Sequence, residues 1–223
     1  MKTSEKEAWD RTADMLGNFK VHLGDHWSFN FFNDPKRLAF VLSRYKLAAK
    51  MACKKGRVLE LGCSTGIGAT ILGEFTSEYV GVDLDESAIQ TARSNLTEPK
   101  FRFLFDDFMG KIYGQFDAVV SLDVVEHIHL EYEDLYFKTV VDNLAPNGIC
   151  VIGTPNVTSA PYAAPTSQIG HVNLYSQDRL VKVLKKYFHQ VFPFGINDEI
   201  VHTGYASMAH YIVGVGFYKK AAE

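Results

Sequence analysis

The chain has 223 residues, 47% hydrophobic and 22% charged, enough for one α/β domain with a sizeable core. A formal net charge of −3 argues against a protein that lives on nucleic acid. Cys53, Cys63 and Cys150 are odd in number and lack metal-type spacing, which fits a reducing cytoplasmic compartment better than a disulfide scaffold.

The stretch 1–7 is polar, without an apolar signal core, and no apolar run is long enough for membrane insertion. Residues 1–50 read as a helical cap or lid ahead of the first strand. Within it, 27–35 is expected to be turn-rich and aromatic. Asp34-Pro35 should open a helix over 36–50, with Leu38, Val41, Leu42, Tyr45 and Ala49 on one face. From Arg57 strand and helix alternate through 51–223. Strands are expected at 57–61, 79–83, 101–105, 116–122 and 149–153. Helices are expected at 67–75, 87–96 and 132–144, the last closed by Pro146-Asn147-Gly148. That alternation means a parallel sheet covered on both faces. A loop over 154–175, a helix over 176–187, a strand near 191–194 and a last strand over 209–218 complete seven strands. Loops of that length are functional or mobile, and ligand loops gather at the carboxyl ends of such strands.

The run Arg57-Val58-Leu59-Glu60-Leu61-Gly62-Cys63-Ser64-Thr65-Gly66-Ile67-Gly68 is a strand, an acid and a glycine-rich turn leading into a helix. Tyr79-Val80-Gly81-Val82-Asp83 follows, its terminal carboxylate placed for ribose hydroxyls. The glycine order is not G-x-G-x-x-G, and Glu60 would repel a pyrophosphate, which speaks against a nicotinamide oxidoreductase. An acid there suits a cofactor carrying a positive amine or sulfonium.

The run resembles the first motif, E/D-x-G-x-G-x-G, of class I S-adenosylmethionine-dependent methyltransferases, with Ser64 in place of the middle glycine. The resemblance implies an α/β, Rossmann-like, seven-stranded and mostly parallel sheet with helices on both faces. The last strand would be antiparallel, and a helical cap would precede the sheet. It implies S-adenosylmethionine as cofactor, held by Glu60, Gly62, Cys63, Ser64, Gly66, Asp83 and Leu84. Asp107 with Phe108 resembles the adenine site, Asp106 being the alternative, and Leu122 the residue lining the methionine part. Asn33-Asp34-Pro35-Lys36-Arg37 resembles the N-P-x-R segment of ubiquinone-pathway O-methyltransferases, so Arg37 would meet the cofactor carboxylate. Arg44-Tyr45 resembles a pair found before the first motif in other members and is the alternative.

Asp123, Glu126 and His127 stand at i, i+3 and i+4 after the fourth strand, and a helical turn there would face them one way. Two carboxylates and an imidazole suit Mg²⁺ or Mn²⁺. The set resembles E-x-x-E-H of metal-dependent ubiquinone-pathway and small-RNA 2′-O-methyltransferases. That resemblance implies His171 as a further ligand and Asp123 in place of the first Glu. A cation lowers the pKa of a bound hydroxyl and orients it; His171, His129 or His202 could take the proton. His127 as a metal-free pocket residue is the alternative.

The polar segment 197–205 is expected to sit over the acceptor with His202, and Trp27, Phe29, Phe31 and Phe32 to form either core or a lid. The resemblance implies methyl transfer onto a hydroxyl of a small molecule, a sugar, phenol or secondary metabolite, with Asp123, His127 and His171 at the reaction centre. N- or C-methylation and a non-catalytic cofactor-binding partner are the alternatives. The acidic balance lowers an RNA acceptor, and a homodimer is among the expected states.

Overall fold

The computed structural model describes residues 2–17, 20–52 and 56–221; Cys53 lies outside them. Five strands form the parallel part of one sheet: β1 (Arg57–Leu61), β2 (Glu78–Asp83), β3 (Phe101–Phe105), β4 (Phe116–Leu122) and β5 (Leu144–Pro155). After them come β6 (Phe188–Asn197), β7 (Ile200–His202) and β8 (Tyr211–Lys219). The order is β3-β2-β1-β4-β5-β8-β6-β7. The last strand, β8, runs antiparallel to both β5 and β6.

Alternate strand residues feed two cores, as a sheet covered on both faces requires. Val58, Tyr79, Phe103 and Val120 pack under α3 (Lys36–Ala52), α4 (Ala69–Gly73) and α5 (Glu86–Asn95). Leu59, Val80, Val119 and Ile152 face α6 (Glu133–Asp142) and, further along the chain, a helix over Gln177–Tyr187. Cys63 and Cys150 are buried free thiols in these cores. The first two helices are α1 (Lys2–Leu16), exposed from Ser4 onward, and α2 (Gly24–Asn33). The loop after β5 holds a short helix, α7 (Pro165–Gly170), and the helix over Gln177–Tyr187 is α8. Among the described residues no helix is long and apolar enough to cross a membrane.

Four expectations change. Residues 24–33 are helical rather than turn-rich: Trp27 and Asn30 face inward at helical spacing, and the Asn30 amide donates to the His26 carbonyl at 2.8 Å. Phe29, Phe31 and Phe32 are exposed on the other side. The helix expected at 67–75 shrinks to α4, because the glycine-rich turn consumes its start. Pro146-Asn147-Gly148 lies inside β5 rather than after α6, where the β4–β5 register shifts between Phe116 and Ala118. The sheet has eight strands rather than seven, since 200–202 forms a hairpin with β6.

Register decides what meets at the carboxyl edge. Leu61 pairs with Val82, Asp83 with Phe105, Leu122 with Gly153 and Pro155 with Tyr211. The turns after β1 to β5 and the start of β8 therefore share one rim.

Candidate active site

The turn after β1 is fixed by close approach. Gly62 has φ +82, and a Cβ there would lie 2.2 Å from Val124 Cγ2, so only glycine fits. Ser64, at φ +48, donates its N–H to Asp83 Oδ2 at 2.7 Å, and Asp85 N–H donates to Oδ1 at 2.9 Å. Asp83 thus braces the turn from β2. Gly66, at φ +73, closes against Ala92 and Phe103. The Cys63 side chain packs under Gly81, away from solvent.

Glu60 is fully buried. Tyr45 donates to Oε1 at 2.6 Å and Tyr79 donates to Oε2. Burial pushes its carboxyl up to about 7, with the two hydroxyls pulling the other way. The sequence expectation puts Glu60 at the cofactor; in the structure Tyr45 lines the cavity and Glu60 lies behind it, bonded to the Tyr45 hydroxyl. Gly68 makes room for this, since a Cβ there would lie 2.0 Å from the Tyr45 ring.

On the other side of Asp83, Leu84 is 68% exposed, an apolar face at the rim. Asp107 Oδ1 accepts the Met109 N–H at 3.1 Å, and Phe108 is buried in the α6-side core. Asp106 is committed to Lys111 and to the Tyr113 hydroxyl.

A cavity of about 390 Å³ opens between the cap helices and this rim. His26, Trp27, Arg37 and Tyr45 wall it from the cap, Gly62, Ser64 and Leu122 from the sheet, and Asp123, Glu126, His127 and His171 beyond. Arg44 and Asp123 are paired: Arg44 Nη1 lies 2.9 Å from both carboxylate oxygens. The guanidinium also stacks on the Tyr211 ring at 3.7 Å, and the Tyr211 hydroxyl donates to Asp123 at 3.2 Å. Arg37 has no such partner among the described residues and fronts this cavity and the next. Of the two arginines the sequence offered, Arg37 is the one with a free fork.

Asp123 takes φ +58, and a single 3-10 turn over Val125–His127 follows. Asp123 therefore turns toward Arg44 while Glu126 and His127 turn toward His171. Ligand atoms of Glu126, His127 and His171 lie within 4.8 Å of one another; Asp123 is outside that group. His127 Nδ1 is 2.9 Å from the Gly170 carbonyl, which can only accept. Nδ1 is thus the donor, and in the neutral tautomer Nε2 carries the lone pair. The His127 and His171 rings stand edge to face, centroids 5.0 Å apart. Partial burial and the neighbouring His127 lower the His171 pKa, so its imidazole is neutral near pH 7.

Glu126 is buried; Thr154 donates to Oε2 at 3.0 Å and Oε1 has no partner among the described residues. Burial and then the Asp123 charge raise its carboxyl to about 8. Five buried side-chain polar atoms among the described residues lack a partner. Three of them, Trp27 Nε1, Arg44 Nε and Glu126 Oε1, belong to residues walling this one cavity. Unsatisfied groups cost about 1–3 kcal/mol each, so their concentration here marks a site built for an occupant.

A second cavity, of about 440 Å³, adjoins the first at Arg37, Arg44, Pro155 and His171. Phe40, Tyr162, Asp198, His210 and Tyr211 line its far side. Sequence reasoning missed His210 and Tyr211, although Tyr211 opens the strand that starts on the rim and His210 directly precedes it. It named His202 instead, whose Nδ1 accepts the Gly204 N–H at 3.2 Å while the ring packs on Gly195. His129 is exposed and lines neither cavity.

A ubiquinone biosynthesis O-methyltransferase of Psychrobacter arcticus is 25% identical over 165 residues, 70% of this chain and 62% of the relative. The chain thus spans about six tenths of the length of the curated relatives it matches first. A SAM-dependent methyltransferase of Thermotoga maritima shares the fold with a TM-score of 0.67 at 17% identity, over 87% of this chain and 95% of that one. The N-methyltransferase NodS of Bradyrhizobium japonicum, solved with S-adenosyl-L-homocysteine, gives 0.60 at 15%, over 85% and 90%. The family model of a methyltransferase domain matches residues 34–187, from the cap through the glycine-rich turn to the end of α8, and the chain belongs to that family, with the Rossmann-like fold of the class I S-adenosylmethionine-dependent methyltransferases.

Proposed function

We propose that this protein transfers the methyl group of S-adenosylmethionine to an oxygen of a small-molecule acceptor, with Glu126, His127 and His171 able to hold a divalent cation at the transfer point. The observation that carries the reading is the position of those three residues. His171 borders both the cavity that fits the methionine half of the cofactor and the one that fits an acceptor. The names of the ubiquinone-pathway relatives support oxygen as the acceptor atom.

In this reading Leu84 packs the adenine face, and Asp107 accepts its exocyclic amine. Asp83 braces the glycine-rich turn and accepts from the ribose. Leu122 lines the methionine chain, and the Arg37 fork takes its carboxylate. His26, Trp27, Arg37 and Tyr45 of the cap supply the wall that excludes water. An orphaned carboxylate oxygen beside two imidazoles, one with its tautomer fixed by a backbone carbonyl, fits a cation. With Asp123 committed to Arg44, one carboxylate and two imidazoles remain, a set that favours Mn²⁺ over Mg²⁺. When bound, such a cation would lower the pKa of an acceptor hydroxyl and fix its approach. Without a cation, neutral His171 keeps a free lone pair and is placed to accept the hydroxyl proton instead.

The test is calorimetric titration of S-adenosylhomocysteine and of Mn²⁺ into wild type and His127→Ala. Micromolar binding of the first, with Mn²⁺ binding lost in the variant, supports the whole reading. Cofactor binding with no Mn²⁺ binding removes the metal and leaves His171 as base. Absence of cofactor binding removes the enzyme reading.

A further inference from the structure

We infer that Glu133, which touches neither cavity, is the positioning residue of the His127–His171 pair. The inference rests on the proposed function only in treating the two histidines as one working unit. His171 sits in the loop between α7 and α8, and a histidine on a loop holds its geometry only if the loop is pinned on both sides. Upstream, the Gly170 carbonyl accepts from His127 Nδ1. Downstream, the N–H groups of Val172 and Asn173 both donate to the Glu126 carbonyl, at 2.9 and 3.0 Å. His171 is therefore strapped across the turn that carries its two partners.

What keeps the downstream strap in place is a buried carboxylate. Glu133, the first residue of α6, is 7% exposed. A single oxygen, Oε2, accepts from Asn173 Nδ2, from the Tyr175 hydroxyl and from Arg179 Nη2. Arg179 also donates to the Leu174 carbonyl at 2.6 Å and stacks on the Tyr175 ring at 4.1 Å. Three side chains that follow His171 thus converge on one group belonging to another element. Hydrogen bonds to a charged acceptor are short and directional, and in a dry setting they specify a single arrangement. Replacing that acceptor loosens Asn173 and Leu174, between His171 and the Tyr175 backbone that stays paired with Asn156, and His171 moves with them.

The experiment compares wild type with Glu133→Gln, using Lys138→Ala on the exposed face of α6 as control. Nuclear magnetic resonance of the metal-free proteins reads the site directly: a cross-relaxation signal between the two imidazole rings, and a slowly exchanging His127 Nδ1–H. Mn²⁺ titration is the second reading, and thermal melting monitors the fold. We expect Glu133→Gln to lose both ring signals and to bind Mn²⁺ at least about 10-fold more weakly, the scale seen when partners of ligating side chains are removed. The control should change neither. If Glu133→Gln does not fold, Tyr175→Phe, which removes one donor, must show the same losses in part. Retention of ring signals and affinity in a folded Glu133→Gln overturns the inference, as does their absence in wild type. A wild type that shows the ring signals but binds no Mn²⁺ removes the metal alone, and the ring signals of the variant then decide.

Discussion

Arg44 of α3 and Asp123 at the end of β4 are 79 residues apart in the chain, and one guanidinium nitrogen lies 2.9 Å from both carboxylate oxygens. The pair ties the cap to the turn that carries Glu126 and His127. It also explains how Asp123 tolerates φ +58, since its N–H donates to the Gly153 carbonyl at 3.0 Å while its side chain is held from above.

Breaking this pair should be costly but not catastrophic. Removing one partner of a buried pair costs about 3–5 kcal/mol. The Asp123 side chain is 36% exposed and the Arg44 side chain 11%, so solvent screening lowers the figure. Arg44→Met should lose about 2 kcal/mol in urea unfolding, and Arg44→Met/Asp123→Asn should lose less than the sum of the single variants. Strict additivity in that cycle would mean that the pair does not couple cap and turn.

Glu60 gives the protein a pH signature. Its carboxyl is raised from the ordinary 4.5 to about 7 in the folded state, so between those values the folded chain keeps a proton that the unfolded chain has lost. Stability attributable to Glu60 is therefore full below about pH 4.5 and lost as pH rises through about 7. Glu60→Gln keeps the shape and stays neutral. Its melting temperature should match wild type near pH 5 and exceed it near pH 8, and a wild type that melts higher at pH 8 would refute the assignment. Glu126, raised for the same reason, keeps part of the slope in the variant.

The alternation of strands, the glycine-rich turn and the shared rim were legible because periodicity and glycine spacing are local properties. Side-chain destinations were not. Asp123, Glu126 and His127 share a face only if the chain is helical from Asp123 onward. The left-handed residue followed by a 3-10 turn sends Asp123 to Arg44 and the other two to His171. Glu60 could be read as strand-end acid, but not that Tyr45 and Tyr79 would seal it, because those contacts join three elements. Glu133 carries no motif at all.

The two neighbouring acids after β3 should separate cleanly. Asp106 is spent on Lys111 and Tyr113, whereas the Asp107 side chain meets only the Met109 N–H among the described residues. If Asp107 accepts the adenine amine, Asp107→Ala should weaken S-adenosylhomocysteine binding about 10-fold, the worth of one hydrogen bond to a charged group. Asp106→Asn should leave that affinity within about twofold, since its partners lie within the protein. The reverse ranking in calorimetry would transfer the adenine contact to Asp106.

Gly62→Ala tests whether backbone strain or packing dictates glycine at the heart of the turn. The residue stands at φ +82, and its Cβ would meet Val124 Cγ2 at 2.2 Å. Strain and overlap together should cost about 2–4 kcal/mol. They should also weaken S-adenosylhomocysteine binding, because Val124 adjoins Asp123 at the cavity wall. Val124→Ala removes the clashing methyl and leaves the strain. The double variant Gly62→Ala/Val124→Ala should therefore recover roughly half of the loss seen in Gly62→Ala. Equal instability of the single and double variants would place the whole cost in the left-handed backbone and none in the contact with Val124.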